Sequence, residues 1–308
     1  LVGCAAPGHQ AAQPAELAAH PSPVTVDGIR IAFHVHGHGP IVFAHSGGPG
    51  MEWSYLRMPE VEKFATVVYL EPPGTGASGP MTWPGGYSVD NYVKAADGVR
   101  AALGIDKIVL LGHSHGGFVA QSYALAHPDH LRGLILYDTS PTVGAEWQND
   151  VESNLHWFEH EPWYPEAAKG LAAEDSMRTD DQATENFKRE LPLYFADWTA
   201  RAQEFEVLRA QVRMWVAPGR SANDPSAPAD VGLAPAFDVV ARLHEIATPT
   251  LILVGTKDFV CSPRMADMLH AGIPGSKLAV LPHSGHMGHI EEPGAHASAI
   301  REFLATLP

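Results

Sequence analysis

Basic residues, cysteines and long apolar runs are scarce in this chain, and each shortage narrows its chemistry. Lysine and arginine number 20 against 35 aspartates and glutamates in 308 residues, a formal charge of −15 with histidine neutral. No basic patch is available to displace counterions, so nucleic acid and anionic membrane surfaces drop out as partners. The acidic balance mainly serves solubility. No apolar run approaches the roughly 20 residues that span a bilayer. The only cysteines, Cys4 and Cys261, form no C-x-x-C motif. Cys261 is expected to pack as a small apolar side chain rather than bridge to Cys4.

The chain starts at Leu1 rather than methionine, which points to sequence upstream. Leu1-Val2-Gly3-Cys4 resembles the lipobox that ends bacterial lipoprotein signal peptides. That resemblance implies acylation of Cys4 and an extracytoplasmic, lipid-anchored protein; the alternative is a chance tetrapeptide and a cytoplasmic protein. Residues 1–23, rich in alanine, proline and glutamine after Cys4, read as a flexible tether. A single acyl chain gives only marginal membrane binding.

Short, nearly all-apolar segments alternate with helical stretches from residue 24 onward. Residues 24–36 read as two strands about Asp27-Gly28. Strands follow at 41–44, 65–70, 107–111, 134–137, 249–254 and 278–281, and Ser88 is placed to cap a helix running to about Leu103. A last helix is expected over 292–307. The pattern predicts an α/β fold, a mostly parallel central sheet with helices on both faces. Residues 144–241 break it, with five tryptophans, many acids and no buried strand. They read as an inserted helical cap, with 218–235 loop-like, on a core made of residues 24–143 and 242–308.

Gly112-His113-Ser114-His115-Gly116 lies between a buried strand and a helix, the setting of the G-x-S-x-G nucleophile elbow. The tight turn strains the serine backbone and needs neighbours without side chains. A nucleophilic serine needs a base and a group that orients the base. His286 in Ser284-Gly285-His286 is the favoured base, ahead of His283 and His289. Asp258, just past a late strand, is the favoured acid, ahead of Asp138, which follows the strand after the nucleophile. Two N–H groups should face the substrate oxygen: that of His115, and that of Gly48 in Ser46-Gly47-Gly48-Pro49-Gly50, with Gly47 close behind. A histidine base must be neutral, so activity should fall as pH drops below about 6.5.

These motifs together resemble the α/β-hydrolase superfamily and, within it, the proline iminopeptidase group of serine peptidases. Ser46 to Gly50 matches that group's H-G-G-P-G loop with serine for histidine, His45 being adjacent. Glu71 to Ser78 matches its D-x-R-G-x-G-x-S turn with Glu71 for aspartate and Pro73 for arginine. His115 stands where the group often carries tryptophan. The resemblance implies cap glutamates that bind a free substrate amine; Glu159, Glu161, Glu190, Glu204 and Glu206 are the acids in range, none singled out.

Two other clusters have plainer readings. His34, His36 and His38 alternate along one strand, but no carboxylate spacing accompanies them, so a half-exposed strand face is preferred to a metal site. Trp157, Phe158, Trp163 and Tyr164 fit a cap core better than an apolar substrate pocket. The sequence reading is therefore a serine hydrolase working through an acyl-enzyme without metal or cofactor, on a small-molecule or short-peptide substrate. An aminopeptidase of the proline iminopeptidase type leads, a carboxylesterase or lactonase is the alternative, and a non-catalytic binding protein of the same fold comes last.

Overall fold

The computed structural model describes Leu17, His20, residues 22–223 and residues 237–308. Cys4 with the first part of the tether, and the stretch 224–235, lie outside those residues. Strands β1 (Val24–Val26) and β2 (Ile29–Ile31) form an antiparallel pair. Where the sequence suggested two strands over 24–36, there are three: β3 (Phe33–Gly37) leaves the pair for the edge of the main sheet. The break falls at Ala32, whose N–H is taken by Ser78 Oγ at 2.8 Å and whose carbonyl accepts from Glu71 N–H at 3.0 Å.

In chain order the core continues with β4 (Ile41–His45), β5 (Thr66–Leu70), α1 (Val89–Ala102), β6 (Ile108–His113), α2 (His115–Ala126) and β7 (Leu131–Tyr137). Ser88 caps α1, its Oγ accepting from Asn91 N–H. Between β7 and the next strand lie α3 (Ala145–Leu155), α4 (Tyr164–Ala173), α5 (Asp180–Glu190), α6 (Trp198–Gln211) and α7 (Val216–Asn223). Residues 218–223, read from sequence as loop, are thus helical. The chain closes with β8 (Thr250–Gly255), α8 (Pro263–Gly272), β9 (Lys277–Leu281) and α9 (Pro293–Leu304).

The sheet runs β3-β5-β4-β6-β7-β8-β9, parallel throughout except for β3. Every residue of β5, β6 and β8 is buried, because both faces are covered. The period-2 alternation sorts the strands between two cores. Phe43, Leu110, Leu134 and Ile252 pack on one face with Val99, Tyr123 and Leu269. Val42, Val109, Ile135 and Leu251 pack on the other with Leu56, Ile300 and Phe303. Parallel strands deliver their carboxyl ends to one rim, and the loops there carry the chemistry.

Candidate active site

Ser114 joins β6 to α2 with φ 55° and ψ −125°, a strained setting for a residue with a side chain. Its neighbours allow it. A Cβ at Gly112 would lie 2.2 Å from the Gly116 carbonyl oxygen, and one at Gly116 would lie 2.3 Å from that of His45. Only glycine fits either place. Thr139 Oγ1 donates to the Ser114 carbonyl at 2.8 Å and steadies the turn.

Gly47 lies against the serine: a Cβ built there would stand 2.4 Å from Ser114 Cβ and 3.1 Å from Oγ. Its N–H is already committed, donating to Tyr55 Oη at 2.7 Å. Gly48, the other glycine weighed for the substrate oxygen, follows at φ 53°. His115 opens α2, so its N–H has no carbonyl one turn back to bond.

His286 is buried, and its Nδ1 lies 2.8 Å from Asp258 Oδ2. The other carboxylate oxygen of Asp258 accepts from the N–H groups of Val260 and Cys261, at 3.0 and 2.9 Å. A carboxylate held in this way fixes the imidazole proton on Nδ1 and leaves Nε2 as the acceptor. The histidines weighed against His286 are placed otherwise. His283 is exposed. His289 has both ring nitrogens engaged, Nδ1 with Tyr137 Oη at 2.9 Å and Nε2 with the Tyr55 carbonyl at 2.9 Å.

Asp138 sits beside the His286–Asp258 pair, fully buried at φ 44°. Its Oδ1 accepts from Gly255 N–H at 2.9 Å, and its carboxyl shares a hydrogen bond with that of Asp258. Burial first, and then the charge of Asp258, push its pKa well above the carboxylate range. Asp138 is therefore a carboxyl that resists ionisation.

Several functional groups carry no sequence signal of their own. Tyr55 Oη and His113 Nδ1 are 2.6 Å apart, and His113 Nε2 is 2.8 Å from the His286 carbonyl. The His286 N–H donates to the Tyr194 carbonyl at 2.9 Å. Glu291 bridges the same two segments, accepting from Gly285 N–H at 2.7 Å and Ala196 N–H at 2.8 Å. A side chain's contact with the backbone of a distant loop leaves no periodicity or motif behind. Only the position of His113 inside the elbow could have drawn attention to it.

The acids between β7 and β8 divide by burial. Glu159, Glu204 and Glu206 are exposed and pair with His156, Arg201 and Arg209, while Glu161 accepts from Thr199 Oγ1. Glu190 is 1% exposed; Oε1 accepts from Asn186 Nδ2, and the carboxyl shares a hydrogen bond with that of Glu174. Burial, and then its neighbour Glu174, push the Glu190 pKa up to about 10. The charges of both also bear on Tyr194, whose ring is 5.6 Å from that of His286 and 5.3 Å from Phe259. Phe158 is buried against Trp163 and Phe259, and Trp157 is 41% exposed.

Metal-type donors meet in three places among the described residues: Asp97 with His127 and His130, and two groups that overlap the site itself. Asp97 Oδ1 already takes Arg100, Tyr123 and His130. His34 stacks on Trp53 at 3.8 Å and pairs with Glu71 at 2.9 Å. Glu71 also accepts from Ala77 N–H at 2.7 Å, so this glutamate ties the turn that resembles D-x-R-G.

Residues 39–293 match the alpha/beta hydrolase fold family. A proline iminopeptidase from Saccharolobus solfataricus is 27% identical over 291 residues, covering 88% of this chain and 87% of its own. A thermophilic esterase from Thermogutta terrifontis superposes with a TM-score of 0.65 at 27% identity, covering 92% and 96%. The proline iminopeptidase of Mycobacterium smegmatis gives a TM-score of 0.69 at 19% identity, covering 92% and 97%, a likeness of fold.

Proposed function

The chain belongs to the alpha/beta hydrolase fold family, and from that premise we propose that it is a serine aminopeptidase working through an acyl-enzyme. Ser114 Oγ attacks the carbonyl carbon as its proton passes to His286 Nε2. The oxyanion is held by the Gly48 and His115 N–H groups. His286 returns the proton to the leaving amine as the scissile bond breaks. Water, deprotonated by His286, then attacks the acyl-enzyme, and Ser114 recovers its proton as the acid departs. Asp258 holds the imidazolium through Nδ1.

The observation that carries the peptidase reading is the buried Glu190, hydrogen-bonded to the Glu174 carboxyl and within electrostatic reach of Tyr194 at the His286 ring. A substrate ammonium supplies the counter-charge that would draw the proton from such a pair. The homology to proline iminopeptidases over most of the chain supports the same reading. The second reading, an esterase, is favoured by the aromatic surface of Tyr194 and Phe259 beside His286 and by the esterase likeness at 27% identity.

A panel setting proline-nitroanilide against short acyl esters separates the two. The expected result is aminoacyl-anilide turnover that drops at least about tenfold in Glu190→Gln while ester turnover holds. Turnover of esters alone would remove the peptidase reading. Ser114→Ala should lose roughly four to six orders of magnitude on any substrate and all fluorophosphonate labelling. A parent protein that neither labels nor turns over would be a binding protein of this fold.

A further inference from the structure

The oxyanion loop and the base loop come from opposite ends of the chain, yet one buried side-chain path joins them. Gly47 N–H donates to Tyr55 Oη at 2.7 Å, and Tyr55 Oη lies 2.6 Å from His113 Nδ1. His113 Nε2 lies 2.8 Å from the His286 carbonyl. The polarity of every bond is determined. The His286 carbonyl can only accept, so the proton of the neutral His113 ring sits on Nε2 and Nδ1 is an acceptor. Tyr55 Oη therefore gives its proton to Nδ1 while it accepts from the Gly47 N–H.

Tyr55 and His113 are 4% and 1% exposed, so water does not compete for these bonds. Burial, reinforced by the neighbouring His286, lowers the His113 pKa well below its usual range, and burial keeps the Tyr55 phenol protonated. A charged His113 would make Nδ1 a donor, so Tyr55 Oη would accept from both Nδ1 and Gly47 and its own proton would lose this acceptor. Both ends are braced from outside it. His289 Nε2 donates to the Tyr55 carbonyl at 2.9 Å, and the His286 N–H donates to the Tyr194 carbonyl at 2.9 Å. Two apolar rings would fill the same volume without desolvating polar atoms. What the polar pair adds is directional contact with the two loops that flank Ser114.

Building on the acyl-enzyme reading above, we propose that Tyr55 and His113 are positioning residues that hold the Gly47–Gly48 oxyanion loop and the His286 loop in register around Ser114. Tyr55 takes the Gly47 N–H, which orients the next peptide so that the Gly48 N–H faces the reacting oxygen. His113 sets how far the His286 backbone stands from the elbow. Neither side chain touches substrate. Their loss should therefore cost transition-state stabilisation and leave ground-state binding in place.

The test is Tyr55→Phe, which removes one oxygen and keeps the ring. On the best substrate of the panel, kcat should fall about 10- to 100-fold with KM within about threefold. Affinity for a boronic acid that mimics the tetrahedral intermediate should weaken by the same factor as kcat/KM. The 15N and 1H imidazole signals of His286 should move, and His113 should lose its fixed Nε2–H tautomer. His113→Gln keeps a donor toward the His286 carbonyl but no ring acceptor for Tyr55, and it should show a smaller change of the same kind. It also serves as the test if Tyr55→Phe does not fold.

A folded Tyr55→Phe with kcat, boronate affinity and His286 signals all within about threefold or unshifted overturns the proposal. A drop in thermal stability with catalysis and boronate affinity intact overturns it too, since that is the mark of a core role alone. Failure of the hydrolase reading looks different: Ser114→Ala keeps full activity and the parent takes no fluorophosphonate. In that case the His286 and His113 signals decide the positioning claim by themselves.

Discussion

At the scale of single residues, the site holds two aspartates where the catalytic reading needs one. They differ in surroundings. Asp258 receives two backbone N–H groups and the His286 ring, while Asp138 receives one N–H and otherwise meets the Asp258 carboxyl. Two buried carboxylates this close cannot both ionise, so the one with fewer donors keeps its proton. Asp138→Asn should then be nearly silent. The amide supplies an oxygen for Gly255 N–H and N–H donors where the acid has a proton, and asparagine tolerates the left-handed φ of 44°. Activity should stay within about threefold and stability within about 1 kcal/mol. Asp138→Ala should cost about 1–3 kcal/mol in urea denaturation, because Gly255 N–H loses its buried acceptor. A large loss of activity in a stable Asp138→Asn would mean that its negative charge is needed.

At the scale of elements, the His286 loop is laced to the segment that follows α5. His286 N–H bonds the Tyr194 carbonyl, and Glu291 spans Gly285 and Ala196. Gly285 allows this closeness: a Cβ there would lie 2.8 Å from the Tyr194 oxygen and 3.0 Å from Ala196 N, both backbone atoms that cannot swing aside. Gly285→Ala should push the loop off that segment, lowering kcat about tenfold or more and stability by about 1–3 kcal/mol. Gly294→Ala is the control. It lies in α9 with nothing within 4 Å of its built Cβ, and it should stabilise by about 0.5–1 kcal/mol. Equal effects at the two positions, by stopped-assay kinetics and denaturation, would show that the packing at Gly285 does not matter. The buried parallel strands were readable from sequence because each is a short apolar run between turn residues. The ends of β3 were not, since Ala32 leaves the ladder only through bonds to Ser78 and Glu71, more than 35 positions away. The same limit hid Tyr55 and Glu291, whose partners are side chains and peptides brought close by the fold. The helical turns over 218–223 were masked by Pro218 and Gly219, residues that usually mark loops.

At the scale of the whole molecule, buried titratable groups set opposing demands on pH. Burial holds His45 and His289 down to about 4, His296 to about 3 and His113 well below the usual range. Unfolding returns them to about 6.5, so below that pH the unfolded chain binds protons that the native one does not, and stability falls with acid. The carboxyls act in the other direction. Burial raises Glu291 to about 7 and Glu190 to about 10, and Asp138 is raised as well. These keep protons in the native state after the unfolded chain has lost them, so they cost stability as pH rises from about 4 to their native values. From about 4.5 to 6.5 the two sets oppose each other, and the imidazoles, which include His115 held at about 3 by burial, outnumber the carboxyls named. Below about 4.5 these carboxyls are protonated in both states, and the imidazoles act together with Asp97, which despite its burial is held at about 2 by hydrogen bonds from Arg100, Tyr123 and His130; the loss is steep, at about 1.4 kcal/mol per pH unit for each net proton. Above about 7 Glu190 still holds an extra native proton, and the decline is gentler. Urea denaturation across pH 4–9 should therefore give a dome with its maximum near about pH 6.5. Glu190→Gln should flatten the alkaline limb and leave the acid limb where it is, because the amide has no proton to lose. A stability that climbs steadily from pH 7 to 9 in the parent would mean that these carboxyls are ionised in the folded state, and with that the case for Glu190 as a proton-holding group that an arriving ammonium discharges would fall.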